Sequence, residues 1–417
     1  MTRRTFIVTA SSAAAAVAAP QDSAPAVPDS IRDLKPMTDG VQPITDDERR
    51  ARIEKARRLM RENKLSAVVM EGGSSMFYFT GTRWPQSDRV FALILPIAGD
   101  LVWIAADSDN DRAEKAVHMS TDLRTWTDTY GPYKLMAEAL KDRKIGVGAT
   151  VGMEERVRFG VFDGLRQAAP NLQYASATPV TAGCRMIKSP AEIALLQRAN
   201  DVTIAAYKAA FTGLREGMTQ RDMSAMISAA YRALGFQGNA MVSFGEYTAF
   251  PHGSITPQKL REGDFVLVDD GCTVEGYQSD ITRTVIFGKP TQRQRDVWAL
   301  ERKAQDAALA AAKVGATCES VDYAARKVIT DAGFGPDYKV PGLPHRTGHG
   351  IGLDGHEWTN FVRGNKTRLE PGMCFSDEPM IAIYGEFGVR LEDCLHITEN
   401  GGRMFTKQSP AIDQAFG

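Results

Sequence analysis

The stretch that decides the fold is VLVDDGCTVEGYQSDITRT, residues 266–284. An apolar, strand-like run leads into Asp269, and a second acid, Asp280, follows a turn-prone centre at Thr273–Gly276. With the hairpin midpoint between Val274 and Glu275, the two acids are expected directly opposite each other. Opposed residues on one face of a hairpin have Cβ atoms ~4.5–5.5 Å apart, and two carboxylates that close repel unless a cation stands between them. A bulge at Gly271 would shift this register.

A second stretch repeats the arrangement. In SDEPMIAIYGEFGVRLEDC, residues 376–394, a midpoint at Gly385 brings Glu378 opposite Glu392. Arg390, two residues before Glu392, then shares its face. Four carboxylates converging inside a sheet need positive charge, and two divalent ions neutralise them. Two ions ~3.5–4 Å apart are the common geometry of dinuclear hydrolases. Bridging carboxylates suit Mn²⁺, Co²⁺, Fe²⁺ or Zn²⁺. Nitrogen donors come from PHRTGHGIGLDGHEW, residues 344–358, which holds His345, His349 and His356, three of the six histidines. No HExxH zinc motif is present. Each of these residues alone reads as an ordinary turn, surface or structural residue. Matched spacing in two hairpins is what argues against that reading.

Working outward, Ser189 with Glu192, Thr219 and Thr291 with Gln294 mark helix starts, the Ser/Thr side chain capping orphan backbone donors. A further helix is expected from Ser320 to near Gly333. The order helix, helix, hairpin thus occurs twice between residues 183 and 417, which predicts a pseudo-twofold α+β domain with helices on one side of a curved antiparallel sheet. Before it, residues 45–182 alternate helices and strands. Thr45 with Glu48 forms a capping box, and strands are expected at LSAVVM, RVFALILP, DLVWIAA and KIGVGA. This predicts a smaller α/β domain.

Residues 19–44 carry five prolines among polar residues and read as a linker. Residues 1–18 have a basic start with Arg3-Arg4, a weakly apolar Ala/Ser stretch and the small-residue site Ala16-Val17-Ala18. That is a signal-peptide layout of twin-arginine type, with export to the periplasm as the expected destination. A formal net charge of −1 gives no electrostatic reason to bind nucleic acid. No apolar run reaches the ~18 residues that span a bilayer. Five cysteines without a CxxC pair read as small core residues.

In these residues the chain resembles the pita-bread metallopeptidases: prolidase, aminopeptidase P and methionine aminopeptidase. The resemblance covers about residues 185–398, with a weaker creatinase-type N-terminal domain before it. It rests on an Asp, then GYQSDITRT, GHGIGLDGHE, EP and GVRLED, in that order. It implies Asp269, Asp280, His349, Glu378 and Glu392 as metal ligands. Asp280 and Glu392 would bridge two ions, Asp269 would hold one, and His349 with Glu378 the other. It implies manganese as the first choice of metal, a metal-bridging hydroxide as nucleophile, and Glu378 as the group that orients it and moves its proton. His252 is implied in proton transfer or oxyanion binding, and His356 in contact with the scissile carbonyl or the proline side. His345 and Arg390 would bind the product side or its carboxylate, and Trp84 would lie in a loop reaching an active site. The substrate implied is a peptide with proline at its second position, and the assembly a homodimer. The two-domain length points to the proline-specific branch, whether Xaa-Pro dipeptidase or Xaa-Pro aminopeptidase.

The chain departs from the family pattern at Met380 and Ala382, where Gly and Tyr are usual after Glu378-Pro379, and at Trp358, where Pro is usual. These bear on specificity. Cys394 is expected to pack rather than ligate. Two other classes fit the same fold: a sulfonium-compound lyase, and a non-catalytic binding module. The second is disfavoured because all five ligands are present.

Overall fold

The computed structural model describes residues 27–417, so the twin-arginine motif and the cleavage site lie outside the described residues. The N-terminal domain is built on a six-stranded mixed sheet, in the order Leu123–Trp126, Val102–Ala106, Ala92–Pro96, Ala67–Glu71, Thr150–Met153 and Gln173–Ser176. Three of the four expected strands are present. The fourth begins later, at Thr150, because KIGVGA is a turn. Lys144 and Gly148 both have positive φ, 61° and 80°, which an extended strand cannot hold. Strands Ala67–Glu71, Ala92–Pro96 and Val102–Ala106 are buried on both faces, which is why they read as continuous apolar runs.

Helix Asp46–Glu62 opens at Thr45, whose hydroxyl accepts from the Glu48 amide at 3.2 Å. The reciprocal half of the expected box is missing. The Glu48 carboxylate instead accepts from Arg52, at 2.9 Å, and from the Ser189 hydroxyl, at 2.6 Å. The full box does form at Ser189–Glu192, Thr219–Asp222 and Thr291–Gln294. These open helices Pro190–Phe211, Gln220–Ala233 and Gln292–Ala311. The fourth helix, Cys318–Asp331, starts two residues before the expected Ser320, with Thr317 at its N-cap.

Each helix pair precedes an antiparallel set of strands. In the first half, Met241–Phe244, Phe265–Asp269 and Arg283–Ile286 form one sheet. In the second, Gly348–Gly350, Glu357–Phe361, Cys374–Asp377 and Asp393–Thr398 pair in another, and Met380–Ile383 pairs with Phe387–Arg390. The halves meet where the Glu392 amide donates to the Thr282 carbonyl and the Thr284 hydroxyl donates to the Arg390 carbonyl. The architecture is the expected α+β domain behind a smaller α/β domain.

Two expectations need correcting. The described part of the 19–44 segment is not a loose linker. It forms the short helix Asp29–Arg32, buries Ile31 and Ile44, and joins the C-terminal domain through the Met37 amide, which donates a hydrogen bond to the Leu234 carbonyl. Its spaced apolar residues outweigh its prolines. The first hairpin is also displaced in register. Val274 pairs with Tyr277, so the turn residues are Glu275 and Gly276, with φ of 49° and 93°. Two consecutive positive φ values are the two-residue hairpin turn that Gly favours. Asp269 therefore stands at the register position of Thr282, and Asp280 two residues along the same face. The second hairpin has the expected register. Met380↔Arg390 on one side and Asp377↔Asp393 on the other place Glu378 opposite Glu392.

All five cysteines are unpaired and buried. Among the described residues no helix is long and apolar enough to cross a membrane.

Candidate active site

The two hairpins and strand Gly348–Gly350 deliver their acids and histidines to one place. Ligand-type atoms lie within 4.8 Å of one another in three overlapping sets: Asp269, Asp280, Glu392; His349, Glu378, Glu392; and Asp280, His349, His356. The first two sets share Glu392, and Asp280 and His349 link both to the third. The structure thus brings together the five residues expected as ligands.

The local chemistry orients them. His349 faces the Gly350 carbonyl through Nδ1 at 3.1 Å. A carbonyl only accepts, so Nδ1 carries a proton and Nε2 is the nitrogen that can offer a lone pair to a metal. That Nε2 points between Glu378 Oε1, at 3.1 Å, and Asp280 Oδ2, at 3.7 Å. Thr282 Oγ1 lies 2.8 Å from Asp269 Oδ1 and 2.6 Å from Glu392 Oε2, and accepts from Arg390 Nε at 3.0 Å.

The electrostatics are those of a crowded acid cluster. Burial, then repulsion from Asp269, pushes the Asp280 carboxyl well above its usual range. Burial, then Asp280 and Glu378, does the same to Glu392. Burial acts on Glu378 in the same sense, but the protonated form of His349, together with His345 and Arg390, outweighs burial and holds its carboxyl below the usual range. Glu392 Oε1 is buried with no hydrogen-bond partner. An orphaned carboxylate oxygen amid mutually repelling acids, next to an imidazole lone pair, is a donor set that fits divalent cations. Asp269, Asp280, His349, Glu378 and Glu392 are the residues that would hold them.

The remaining expected site residues divide. His356 is exposed, and its ring centroid lies 4.0 Å from that of His349. Burial and the neighbouring His349 push its imidazole down to about 4. His345 turns Nδ1 to the Arg346 carbonyl at 2.7 Å and leaves a buried Nε2 unpartnered. His252 is exposed, next to Pro251, whose carbonyl accepts from Arg390 Nη1 at 2.9 Å.

Two placements correct the sequence reading. Arg390 is enclosed, and its guanidinium is committed to the scaffold: Nε to Thr282, Nη1 to Pro251 and Nη2 to Asp269. It orients a ligand rather than presenting a free fork to a substrate carboxylate. Trp84 does not reach the site. It is buried in the N-terminal domain, stacked on Phe91 at 4.0 Å, with Arg112 over its other face. An indole enclosed this way is a core residue. Cys394 packs as expected, its thiol donating to the Asp280 carbonyl at 3.1 Å. Met380 and Ala382 are buried, and Trp358 is half exposed.

Sequence reasoning missed three supports. Thr282 was visible only as part of the TRT run. Asp322 accepts from the Thr347 amide and hydroxyl and from Arg326, and Arg326 donates to the carbonyls of Asp337, Leu343 and His345. This pair fixes the segment that carries His345. Glu357 is the third, and nothing about its position after His356 signals its burial.

Comparison with known proteins agrees with this geometry. The model of metallopeptidase family M24 matches residues 194–399, and that of the creatinase/prolidase N-terminal domain matches residues 52–187. An Xaa-Pro dipeptidase of Lactobacillus helveticus is 32% identical over 359 residues, 85% of this chain and 96% of that protein. The crystal structure of dipeptidase PepE from Mycobacterium ulcerans superposes with a TM-score of 0.82 at 30% identity, covering 90% of this chain and 100% of that one. A prolidase from Thermococcus sibiricus gives 0.78 at 30% identity, covering 86% and 96%. The chain belongs to metallopeptidase family M24, with a creatinase/prolidase N-terminal domain ahead of a pita-bread catalytic domain.

Proposed function

We propose that the protein is a dinuclear, divalent-metal exopeptidase of the Xaa-Pro dipeptidase type, cleaving the bond between a first residue and proline. The observation that carries this reading is the convergence of Asp269, Asp280, His349, Glu378 and Glu392 in overlapping donor sets. The Xaa-Pro dipeptidases matched along most of their length supply the substrate class. Two cations held there, with Mn²⁺ the proposed native pair, supply Lewis acidity for water activation and carbonyl polarisation.

The chain's own groups do the rest. Glu378, beside His349 in the acid cluster, accepts the proton released by the attacking water and returns it to the departing proline nitrogen. His356, beside His349 at the cavity edge, donates toward the scissile carbonyl oxygen as charge develops there. His345 takes up a proton with the substrate, so that both ring nitrogens donate, Nδ1 to the Arg346 carbonyl and the buried, unpartnered Nε2 to the proline carboxylate, and His252 flanks the same side. Arg390 keeps Asp269 in place.

A product assay tests this. Mn²⁺-loaded protein is given Ala-Pro, Ala-Pro-Pro and Ala-Ala-Pro, beside a Glu378→Ala control, with products read by mass spectrometry. Cleavage of Ala-Pro alone supports the dipeptidase. Release of Ala from Ala-Pro-Pro moves the reading to an aminopeptidase. No cleavage of any peptide by the metal-loaded protein overturns it. We further propose export to the periplasm by the twin-arginine route, tested by fractionating cells that express an Arg3→Lys, Arg4→Lys variant. The homodimer proposed for the assembly is tested by sedimentation.

A further inference from the structure

The loop Gly352–Glu357, which carries His356, is anchored by groups outside the metal cluster. Glu357 is enclosed. Its Oε1 accepts from the amides of Leu353, at 2.8 Å, and Asp354, at 3.2 Å, and from Arg185, while Oε2 accepts from Lys188 at 2.9 Å. Burial opposes its ionisation, but Lys188 and Arg185 hold its carboxyl down to about 2. Asp354, two residues before His356, accepts from the Ser74 hydroxyl at 2.6 Å, from Arg156 at 2.8 Å and from Arg185 at 2.6 Å. Ser74 opens helix Ser74–Thr80, and Ser74 and Arg156 both belong to the N-terminal domain. His356 therefore stands between two carboxylates: Asp354, tied to Ser74 and Arg156 of the N-terminal domain, and Glu357, tied to Arg185 and Lys188 of the segment that joins the two domains.

We infer that Asp354 and Glu357 are positioning residues, and that the N-terminal domain sets the catalytic geometry by holding His356 through them. This rests on the peptidase reading above for its kinetic consequence, and on the fold alone for its structural one. The physical reason is how little else anchors His356. Its ring is exposed, rests edge-on against the His349 ring, and has no hydrogen bond among the described residues. Its aim therefore depends mainly on its backbone, which the two flanking acids hold. A misplacement of about 1 Å in such a group costs up to about a hundredfold in rate.

The test pairs Asp354→Asn with His356→Ala in a double-mutant cycle, with Ser74→Ala as a milder probe from the other domain. Asp354→Asn is expected to lower kcat for Ala-Pro roughly ten- to a hundredfold. KM should stay within about twofold, with bound metal unchanged. In the His356→Ala background it should cost almost nothing further. Ser74→Ala should repeat the pattern more weakly. An undiminished loss in the His356→Ala background, or no loss in either variant, overturns the inference. A readout free of activity runs alongside. With only histidines ¹⁵N-labelled, six residues report, and His356→Ala assigns the one of interest. Asp354→Asn should broaden or split the His356 signals and leave His349 in place. Unchanged His356 signals overturn the inference even if Ala-Pro is not a substrate, whereas failure to cleave Ala-Pro with altered signals overturns only the peptidase reading.

Discussion

Thr282 is a small side chain at the acid cluster and touches both halves of it. Its hydroxyl has one proton to share between Asp269 and Glu392 while accepting from Arg390. Thr282→Val should keep the volume and lower divalent-metal affinity about 10- to 100-fold, the usual cost of losing an outer partner. Competition against a chelating dye measures this, and Thr282→Ser should restore most of it. Glu301 shows the opposite condition. It is fully buried with neither oxygen bonded among the described residues, and burial pushes its carboxyl well above the usual range. The folded state therefore holds a proton that the unfolded state releases, so its contribution is intact below the ordinary carboxylate pKa and is lost as pH rises toward the folded value. Glu301→Gln should flatten the fall in Tm between pH 5 and pH 8, with little change at pH 5. The four acids of the site were legible in the sequence because charge in an apolar strand demands a partner, and the histidines through the resemblance of GHGIGLDGHE to the family pattern. Thr282 and Glu357 were not, because their roles depend on neighbours distant in the chain.

At the scale of elements, the two hairpins show what spacing reveals and what it hides. The 376–394 hairpin turns through Tyr384, Gly385 and Glu386, with Gly385 at φ 81°, and its symmetric centre could be read directly. The 266–284 hairpin turns at Glu275-Gly276, and the register followed the glycine rather than the centre of the polar stretch. The acids still share a face because the shift moves the pairing by two residues, which preserves the strand's alternation. Helix starts were legible because a cap is a local motif, whereas the late start at Thr150 depended on backbone turns. Thr291→Ala, which removes a complete capping box, should cost about 1 kcal/mol in urea unfolding. Behind the hairpins, Arg283 pairs with Asp393 at 2.7 Å, both fully enclosed. Arg283→Met leaves a buried charge alone and should cost about 3–5 kcal/mol, read by the same titration. Asp393→Asn in that background should recover part of it.

Across the whole molecule, the acid cluster links metal to stability. Asp280 and Glu392 repel their neighbours when no cation is bound. Exhaustive chelation should lower Tm, and free metal at a hundred times its Kd should add about 2.7 kcal/mol per site. A Tm indifferent to chelator would contradict the donor set described here. What the sequence did not disclose at this scale is how the two domains are joined. Arg185 and Lys188 gave no sign of reaching Glu357, and the proline-rich stretch before residue 45 gave none of packing. That stretch has a consequence for the order of assembly. Ser30 bonds to the Ala209 carbonyl and to Thr212, 179 and 182 residues ahead, and Met37 bonds to Leu234. During synthesis the chain emerges N-terminus first, so these partners, with Arg198 that donates to the Met37 carbonyl, appear only 161 to 182 residues later, and Leu234 later still. Docking of the stretch then reports that the first helix pair of the catalytic domain is in place, so the earliest described segment is secured only after the whole N-terminal domain has been made.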